Sequence, residues 1–524
     1  MTLTAGTAQG PRTEGETTPR QEAIAPAGSG SGPEGREGSP TGDPGPEPHP
    51  ARQAGAAWAA LRRRYWASVP ARRRRSRAGT VLLAAAVAVL LTVAGLATHG
   101  MWDGVAGRAA PRTTSAADLD LALNDMDAQA ANILLSSGDA GKGRLRTPYE
   151  KAVGFYGDAR REIGHDLRTL AVAAQGNGSD EKTVENLTDD FAEYQELIGR
   201  ALENDGRPGG KPSALADYRR ATDLLQSSLL PASRTLVSSN DSAFDAEYTT
   251  ARSTLSNQLA ATVALGVLLL AALGALQWYL TRRFRRILNP PLLAATVCAL
   301  LAVILGAQML TSAEANLRGA RRDAFDSVVA LSRARAIAYD ANADESRYLL
   351  DPQRRDQYAR AFLAKSQELY GVKGATLSSY DSELATTWQA YESDHHDLRF
   401  TGEFRRELDN ITFPGERAAA EKTVDAYAVY QRDDRKIRAL LAAGKESEAV
   451  EFCMGWQPGT SNAHFGAWMA ALDKVTGINR AHFTASVDAG RSAVTGLLPW
   501  AGGLLALAVA LTALGLRPRL AEFR

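Results

Sequence analysis

Two apolar runs joined by a short arginine-rich connection place the strongest constraint on how this chain folds. Leu259–Leu280 and Leu292–Leu310 contain no charged residue, and the connection between them carries four arginines: Arg282, Arg283, Arg285 and Arg286. Each run is about 20 residues long, the length of helix that crosses the hydrocarbon core of a bilayer. Pro290 and Pro291 favour a turn, because a proline nitrogen donates no helical hydrogen bond. The stretch therefore predicts a membrane hairpin, and its arginines place the connection in the cytoplasm.

Two further apolar runs, Gly79–Met101 and Ala493–Leu516, also lack Asp, Glu, Lys and Arg. Because a charge at the bilayer centre costs about 2.5–3.5 kcal/mol on insertion scales, such runs favour anchoring over the passage of ions or substrates. Arginines also precede the first run and follow the last one, within residues 62–77 and 517–524. A chain that crosses four times puts all three basic clusters on one side. We therefore predict a multi-pass protein of a bacterial plasma membrane with both termini in the cytoplasm.

The overall charge balance points to the lipid bilayer as a partner and not to nucleic acid. The chain has 60 lysines and arginines against 59 aspartates and glutamates, a formal net charge of +1. Such a balance gives no indication of nucleic-acid binding. Arginine and alanine are abundant, which is typical of GC-rich bacteria and favours an actinobacterial cell envelope.

The polar segments between the apolar runs have the pattern of helical bundles. In the first segment, apolar residues step by three and four along one face: Leu119, Leu123, Met126, Ala130, Ile133 and Leu134. Proline and glycine breaks delimit helices at roughly 114–137, 149–174, 181–204 and 213–258. The last helix is expected to continue into the second span, with a kink or a split at Pro231. Four helices with short connections form an antiparallel bundle.

The second polar segment repeats motifs of the first in the same order, which indicates a tandem duplication. The repeated pairs are Asp127–Ala130 with Asp340–Ala343, Phe191–Gln195 with Tyr427–Gln431, and Phe244–Ser253 with Phe483–Ser492. The offset between the copies grows from 213 to 236 residues, so the second copy has gained about 23 residues around Tyr391–Gly415. The predicted fold class is all-α, with four transmembrane helices and two extracytoplasmic antiparallel helical bundles.

These patterns divide the chain into nine parts, the first of which is a cytoplasmic tail, residues 1–77. Residues 1–55 have almost no large apolar side chain and are expected to be disordered. The basic segment 56–77 forms either an interfacial helix or an ordinary flank of the first span. The other parts are the spans 79–101, 259–280, 292–310 and 493–516, the bundles 103–257 and 311–491, the basic loop 281–291 and the tail 517–524.

The inserted stretch and the helix after it carry a candidate functional surface. Pro414 and Gly415 break the chain, and Glu416 stands in the first turn of the next helix, where an acid is favourable. Ile411 and Phe413 suit either a hydrophobic cap on the bundle end or a contact with a partner or ligand. The candidate surface comprises Arg405, Arg406, Phe413, Pro414, Glu416, Arg417, Asp433, Asp434 and Arg438. The candidate cytoplasmic contact comprises Arg282, Arg283, Arg285 and Arg286.

No sequence pattern predicts catalysis. Metal-ligand spacings, a glycine-rich phosphate loop and kinase or phosphatase motifs are absent from the sequence, so we expect no enzyme activity, cofactor or metal. His395 and His396 with flanking aspartates could hold zinc loosely, but adjacent helical residues point about 100° apart, which favours a solvated bundle end. Cys298 lies within a span, so no internal disulfide is expected; Cys453 is predicted to be a buried free thiol, with pairing between chains as the alternative.

The layout resembles that of known bacterial membrane proteins. A span, a four-helix bundle and a second span form the sensor modules of chemoreceptors and histidine kinases, here present twice without an output domain. The whole pattern is similar to the actinobacterial GlnX membrane proteins, through its four spans, its basic loop and three stretches of the second bundle: Ile411–Arg417, Asp433–Asp434 and Ile437–Arg438. This resemblance implies an adaptor that relays a glutamate or aspartate signal from a periplasmic solute-binding lipoprotein to a soluble PknG-type Ser/Thr kinase.

Two functional hypotheses remain from the sequence. In the first, the protein is a signalling adaptor with a solute-binding lipoprotein outside and a Ser/Thr kinase inside. In the second, the bundles sense a small molecule directly or form a structural part of the envelope. A homo-oligomer is compatible with either hypothesis.

Overall fold

The computed structural model describes residues 69–138, 145–284 and 289–516, which are helical apart from short connections. The predicted all-α class is confirmed for these ranges, where the sole β-type pairing is an isolated bridge between Gly371 and Thr401. In chain order the α-helices are α1 (Val69–Gly104), α2 (Ala110–Ser136), α3 (Arg146–Ala174), α4 (Gly178–Asp205), α5 (Lys211–Leu224), α6 (Leu230–Phe284), α7 (Pro290–Arg318), α8 (Asp326–Leu350), α9 (Arg355–Leu369), α10 (Tyr380–Ser393), α11 (Glu403–Asp409), α12 (Glu416–Ala442), α13 (Glu446–Met454) and α14 (Ser461–Leu516).

Four of these helical stretches are long and apolar enough to cross a membrane, as the sequence predicted. They are Ala78–Ser136, Lys211–Arg282, Pro290–Leu350 and Ser461–Gly515, with lengths of 59, 72, 61 and 55 residues. The predicted disorder of residues 1–55 lies outside the described residues, as do most of the basic segment 56–77 and the tail 517–524. Each stretch is far longer than the roughly 20 residues that a bilayer needs, so each continues into the polar bundles.

Three of the long stretches contain a π-helical segment. Val105–Ala109, between α1 and α2, and Gly319–Phe325, between α7 and α8, lie where the apolar part meets the polar part, whereas Leu225–Leu229, between α5 and α6, lies within the first bundle. Leu230 separates Pro231 from the segment Leu225–Leu229, and the helix does not split at the proline. Because proline has no N–H, the wider hydrogen bonding of the π segment accommodates the missing donor.

The apolar parts of α1, α6, α7 and α14 pack in that cyclic order around a core of aliphatic side chains. Two glycines stand where a side chain would collide with a neighbouring helix: a Cβ on Gly306 would lie 2.5 Å from Leu91, and a Cβ on Gly266 would lie 2.6 Å from Val303. Small residues permit such approaches in membrane helices. The outer faces expose large apolar side chains, including Leu82, Val267 and Trp500, as expected of a lipid-facing surface.

The first bundle has the predicted four-helix plan, and the second is more divided. The first consists of α2, α3, α4 and the α5–α6 stretch around one apolar core. In the second, residues 370–379 separate α9 from α10, the predicted insertion contains α11, and α13 is a further short helix. Its core is rich in aromatic residues, among them Trp388, Tyr427 and Trp468.

The two bundles form one packed body. Helix α2 of the first lies along helix α8 of the second, at corresponding positions of the duplication. Near the apolar region, Phe244 and Phe483 also correspond, and both contact the Phe325 ring, at centroid distances of 5.0 and 5.4 Å. Arg321 is buried above the Phe244 ring, 4.9 Å from its centroid. The duplicated halves therefore join where the bundles meet the apolar helices.

We predict that Gly490→Ala destabilises the protein, whereas Gly496→Ala in the same helix does not. A Cβ on Gly490 would overlap the fully buried Trp102 indole, while no atom lies within 4 Å of a Cβ on Gly496. Overpacking of this kind costs about 1–3 kcal/mol, and removing a helical glycine gains up to about 1 kcal/mol. The thermal midpoints of the two purified variants in detergent should move in opposite directions from wild type, and equal midpoints would contradict the packing.

Candidate functional site

A buried ionic cluster occupies the junction between the two bundles. Its centre is Arg347, near the end of α8, whose side chain is almost entirely inaccessible to solvent. Asp340, Asp344 and Arg347 follow one another at helical spacings of four and three, which places them on one face of α8. This face points at the first bundle and not at solvent. The guanidinium therefore links the two halves of the chain.

In the first bundle, the partner of Arg347 is Asp127 of α2. Arg347 donates to one oxygen of Asp127, and the Tyr218 hydroxyl donates to the same oxygen at 3.2 Å. The Tyr194 hydroxyl donates to the other oxygen at 2.8 Å. Asp127, Tyr194 and Tyr218 are all buried, so the carboxylate has a complete set of charged and hydroxyl donors.

In the second bundle, the same guanidinium meets Asp340 and Asp344. Its Nη1 atom lies 3.4 Å from Asp340 and also donates to Asp344. Lys365 of α9 contacts both carboxylates, with its Nζ atom 2.7 Å from Asp340. Gln226, in the π segment of the first bundle, donates to Asp340 at 3.0 Å. The cluster thus joins three buried carboxylates to one arginine and one lysine.

Burial and the neighbouring charges shift the pKa values of the carboxyl groups in this cluster in opposite directions. Burial alone would raise the pKa of Asp340, but Lys365 and Arg347 outweigh it and lower that pKa below its usual value. At Asp344 burial prevails over the same two cations, and the pKa is raised. The pKa of the Tyr218 hydroxyl is raised well above its usual value by burial and by Asp127. Tyr218 therefore stays a neutral donor at every physiological pH.

Ion pairs at the rim extend the contact between the halves. Arg219 of α5 forms a two-pronged pair with Asp351 after α8, and Arg354 pairs with Asp223 at 2.8 Å. Deeper in the junction, the buried Ser346 hydroxyl donates to Asn132 at 2.6 Å. Exposed pairs contribute little stability, whereas the buried contacts specify how α2 and α8 lie against each other.

Among the sequence-predicted surface residues, Glu416, Asp433 and Asp434 are buried. Glu416 accepts from the backbone amides of Thr412 and Phe413 at 2.7 and 2.9 Å, and from Asn479 at 2.7 Å. It therefore fastens the inserted turn to the first residue of α12 and to α14. Asp434 and Arg438 form a bidentate pair with both distances 2.8 Å.

The other predicted surface residues are distributed over the insertion and α12. The Phe413 ring stacks on the His482 ring, 3.9 Å between centroids, and Pro414 is exposed. In α12, Asp433 contacts His464 at 2.6 Å, and Arg417 donates to the Tyr391 hydroxyl at 2.8 Å. In α11, Arg405 pairs with Asp409 at 2.6 Å, and Arg406 pairs with Glu403 at 3.0 Å. Arg406 and Pro414 are exposed near the inserted turn, whereas Arg405 is half-buried and also donates to the Leu398 carbonyl at 2.6 Å.

Of the predicted cytoplasmic contact, Arg282 lies over the Trp278 ring at 5.1 Å from its centroid. Arg283 belongs to the last turn of α6, whereas Arg285 and Arg286 fall outside the described residues. Cys453 is a buried free thiol, as predicted; burial and the neighbouring Glu345 raise its pKa well above the usual value.

Sequence reasoning missed Arg347, Lys365 and the two tyrosines of the junction. Asp127 and Asp340 were recognised as corresponding members of a repeat, but not as buried charges. An available signal was the run of charged residues, Asp340, Asp344 and Arg347, on the otherwise alanine-rich face of α8. Charges on a face that packs against another helix require partners.

Comparison with known protein families gives a match for one region of the chain. Residues 101–249 match the model of an actinobacterial sensor domain, a range that contains the first bundle. No curated protein and no solved structure matches the chain. With the four candidate membrane helices, the match indicates a membrane sensor or signalling protein of actinobacterial type. It does not distinguish GlnX proteins from other actinobacterial sensors.

We predict that Arg347→Met destabilises the protein by about 3–5 kcal/mol, because it leaves buried carboxylates without a counter-charge. Arg360→Met is the matched control: this arginine is exposed on α9, and its loss should change the free energy of unfolding by no more than about 0.5 kcal/mol. The measurement is urea unfolding of the purified proteins in detergent.

A double-mutant cycle with Asp127→Asn tests the pairing itself. If the two groups interact as the geometry shows, the double variant costs less than the sum of the single variants by at least about 1 kcal/mol. Additive effects would contradict the pairing across the junction.

Proposed function

We propose that this protein relays an event at its two exterior bundles across the plasma membrane to the cytoplasm. In this proposal both termini and the connection between α6 and α7 are cytoplasmic. Support for that orientation comes from the arginines within residues 62–77, 281–291 and 517–524, which lie at the ends expected to face inward. The match of residues 101–249 to a sensor domain supports the exterior role of the bundles.

The observation that carries the proposal is the continuity of the helices that join the bundles to the apolar region. The four long stretches pass from one region to the other without a loop, so a change in the packing of α2 against α8 moves helices that enter the membrane. Displacements of about 1–2 Å are typical of such switching. A ligand or partner must favour one packing over another to shift this equilibrium.

The finer form of the proposal is an adaptor without catalytic activity of its own. A solute-binding lipoprotein would dock outside, and a Ser/Thr kinase would bind the basic cytoplasmic segments. The support is the GlnX resemblance together with the exposed Arg406 and Pro414 and the half-buried Arg405 next to the inserted turn. Arginines at such a surface suit a partner with acidic groups.

We expect a change at the junction to move the cytoplasmic ends of the membrane helices. Spin labels on Arg282→Cys and Leu514→Cys, with Cys298 replaced by alanine, report the distance between α6 and α14; the buried Cys453 should stay unlabelled. In lipid nanodiscs, Asp127→Asn should shift the mean interspin distance by about 1–2 Å.

Asp189→Asn, at an exposed position of α4, is the control and should leave the distance unchanged. Helical circular dichroism confirms that each variant is folded. If folded Asp127→Asn and Arg347→Met proteins both give the wild-type distance distribution, the relay is wrong.

The adaptor form predicts a specific recovery of partners. Detergent-solubilised full-length protein, incubated with envelope and cytosolic extracts of an actinobacterium with added glutamate, should retain a solute-binding lipoprotein and a Ser/Thr kinase. The double variant Arg405→Glu, Arg406→Glu should lose the lipoprotein and keep the kinase, and Arg360→Glu should keep both. Recovery of neither partner by the wild-type protein counts against the adaptor.

A further inference from the structure

A cavity of about 250 Å³ lies between the two bundles. Helices α2 and α3 of the first bundle line one side, and α8, α14 and the segment before α14 line the other. An apolar cavity of roughly 150 Å³ suffices to hold a benzene ring, so the volume suits a small organic molecule. A molecule bound there would touch both halves of the chain.

Two amide side chains of the second bundle line this cavity with unused donors. Asn342 and Asn462 are 2% and 3% exposed, and neither Nδ2 atom makes a hydrogen bond of good geometry to a described residue, although the Asn342 side chain lies beside the Tyr430 hydroxyl. Buried donors in proteins are nearly always paired. Two such amides in one cavity therefore point to a ligand that carries a hydrogen-bond acceptor.

Aromatic rings form much of the remaining wall. The rings of Phe155 in the first bundle and Trp456 in the second lie 5.8 Å apart between centroids and are tilted by 49°, and Tyr339 meets the Phe465 ring edge-to-face at 5.1 Å. The Lys151 ammonium already lies over the Trp456 ring, 4.5 Å from its centroid. The faces of aromatic rings carry partial negative charge and attract ammonium groups.

The formal charges on the wall are negative. Asp125 and Asp473 line the cavity, and no lysine or arginine does. Asp473 is paired with Arg335, whereas Asp125 accepts from Gln129 at 2.8 Å and has no ion pair within 4 Å among the residues described. Burial raises the pKa of Asp125 to about 6, so this carboxylate is mostly ionised at neutral pH.

We propose that the cavity binds a small zwitterion with a single ammonium group and a single carboxylate, such as an uncharged α-amino acid or a betaine. The ammonium group is held by Asp125 and the aromatic faces, and the carboxylate accepts from the amides of Asn342 and Asn462. The cations beside the wall, Lys151 over the Trp456 ring and Arg335 paired with Asp473, are already engaged, so the second carboxylate of an acidic amino acid would be left without a partner. The inference deepens the proposed function, on which it rests, by assigning a ligand class to the exterior bundles.

The cavity is connected to the ionic junction through Asn132. Asn132 lines the cavity and accepts from Ser346, the residue before Arg347. Gln129, one helical turn earlier, links Asn132 to Asp125. A ligand that changes the hydrogen bonds of Asn132 and Gln129 therefore affects the contact between α2 and α8.

The test is calorimetric titration of full-length protein in lipid nanodiscs with L-leucine, glycine betaine and L-glutamate as separate probes. Saturable binding of L-leucine or glycine betaine, at one site per chain and at least tenfold tighter than L-glutamate, is expected. Asp125→Asn and Trp456→Ala should each weaken this binding at least tenfold. The control Asp189→Asn should bind as wild type does.

Asn462→Leu separates binding from folding. Because its amide nitrogen has no partner in the unliganded protein, this variant should keep or raise the thermal midpoint and still lose the ligand. The proposal is overturned if neither zwitterion binds, if L-glutamate binds more tightly, or if binding survives Asp125→Asn, Trp456→Ala and Asn462→Leu. The spin-label distances need no ligand, so a failure here leaves the relay to be judged separately.

Discussion

The arrangement of the two bundles depends on one buried guanidinium that is shared between them. Arg347 belongs to the second half of the chain, yet Asp127 of the first half is among its partners. Removing either group would leave the other charged and out of water, which costs several kcal/mol. Apolar helix faces tolerate small sliding motions, but directed hydrogen bonds between charged groups do not. The cluster therefore determines the register between α2 and α8, which apolar packing alone would not specify.

This register reaches the membrane through continuous helices. Val105–Ala109 and Gly319–Phe325 are π-helical at nearly corresponding positions of the duplicated halves, where each long helix leaves the apolar region. π segments recur in proteins at functional positions, because they locally change the direction of side chains. The aromatic contact of Phe244 and Phe483 with Phe325 lies at the same level. The duplication thus gives two similar long helices, and the ionic cluster around Arg347 joins them.

Duplication also explains why a cavity can form between the halves. The first bundle supplies Asp125 and Phe155, and the second supplies the unpaired amides and Trp456. Neither half encloses this space alone. The inserted turn has another role, because Glu416 fastens it to α14. As proposed, the cavity would bind a small molecule between the bundles, and the surface beside the inserted turn would bind a protein.

The sequence alone determined the number of spans, the helical class and the duplication, because these follow from local patterns. Uncharged runs of about 20 residues and apolar steps of three and four report burial in lipid or in a core without reference to any distant residue. It also indicated that α6 continues from the first bundle into its span. Tertiary structure alone decided which charged residues are internal. Asp127 and Arg347 are 220 positions apart, and the local sequence around each is equally compatible with a solvated helix face. Only the packing of α2 against α8 removes water from both, because burial of a charge depends on what lies opposite it in space.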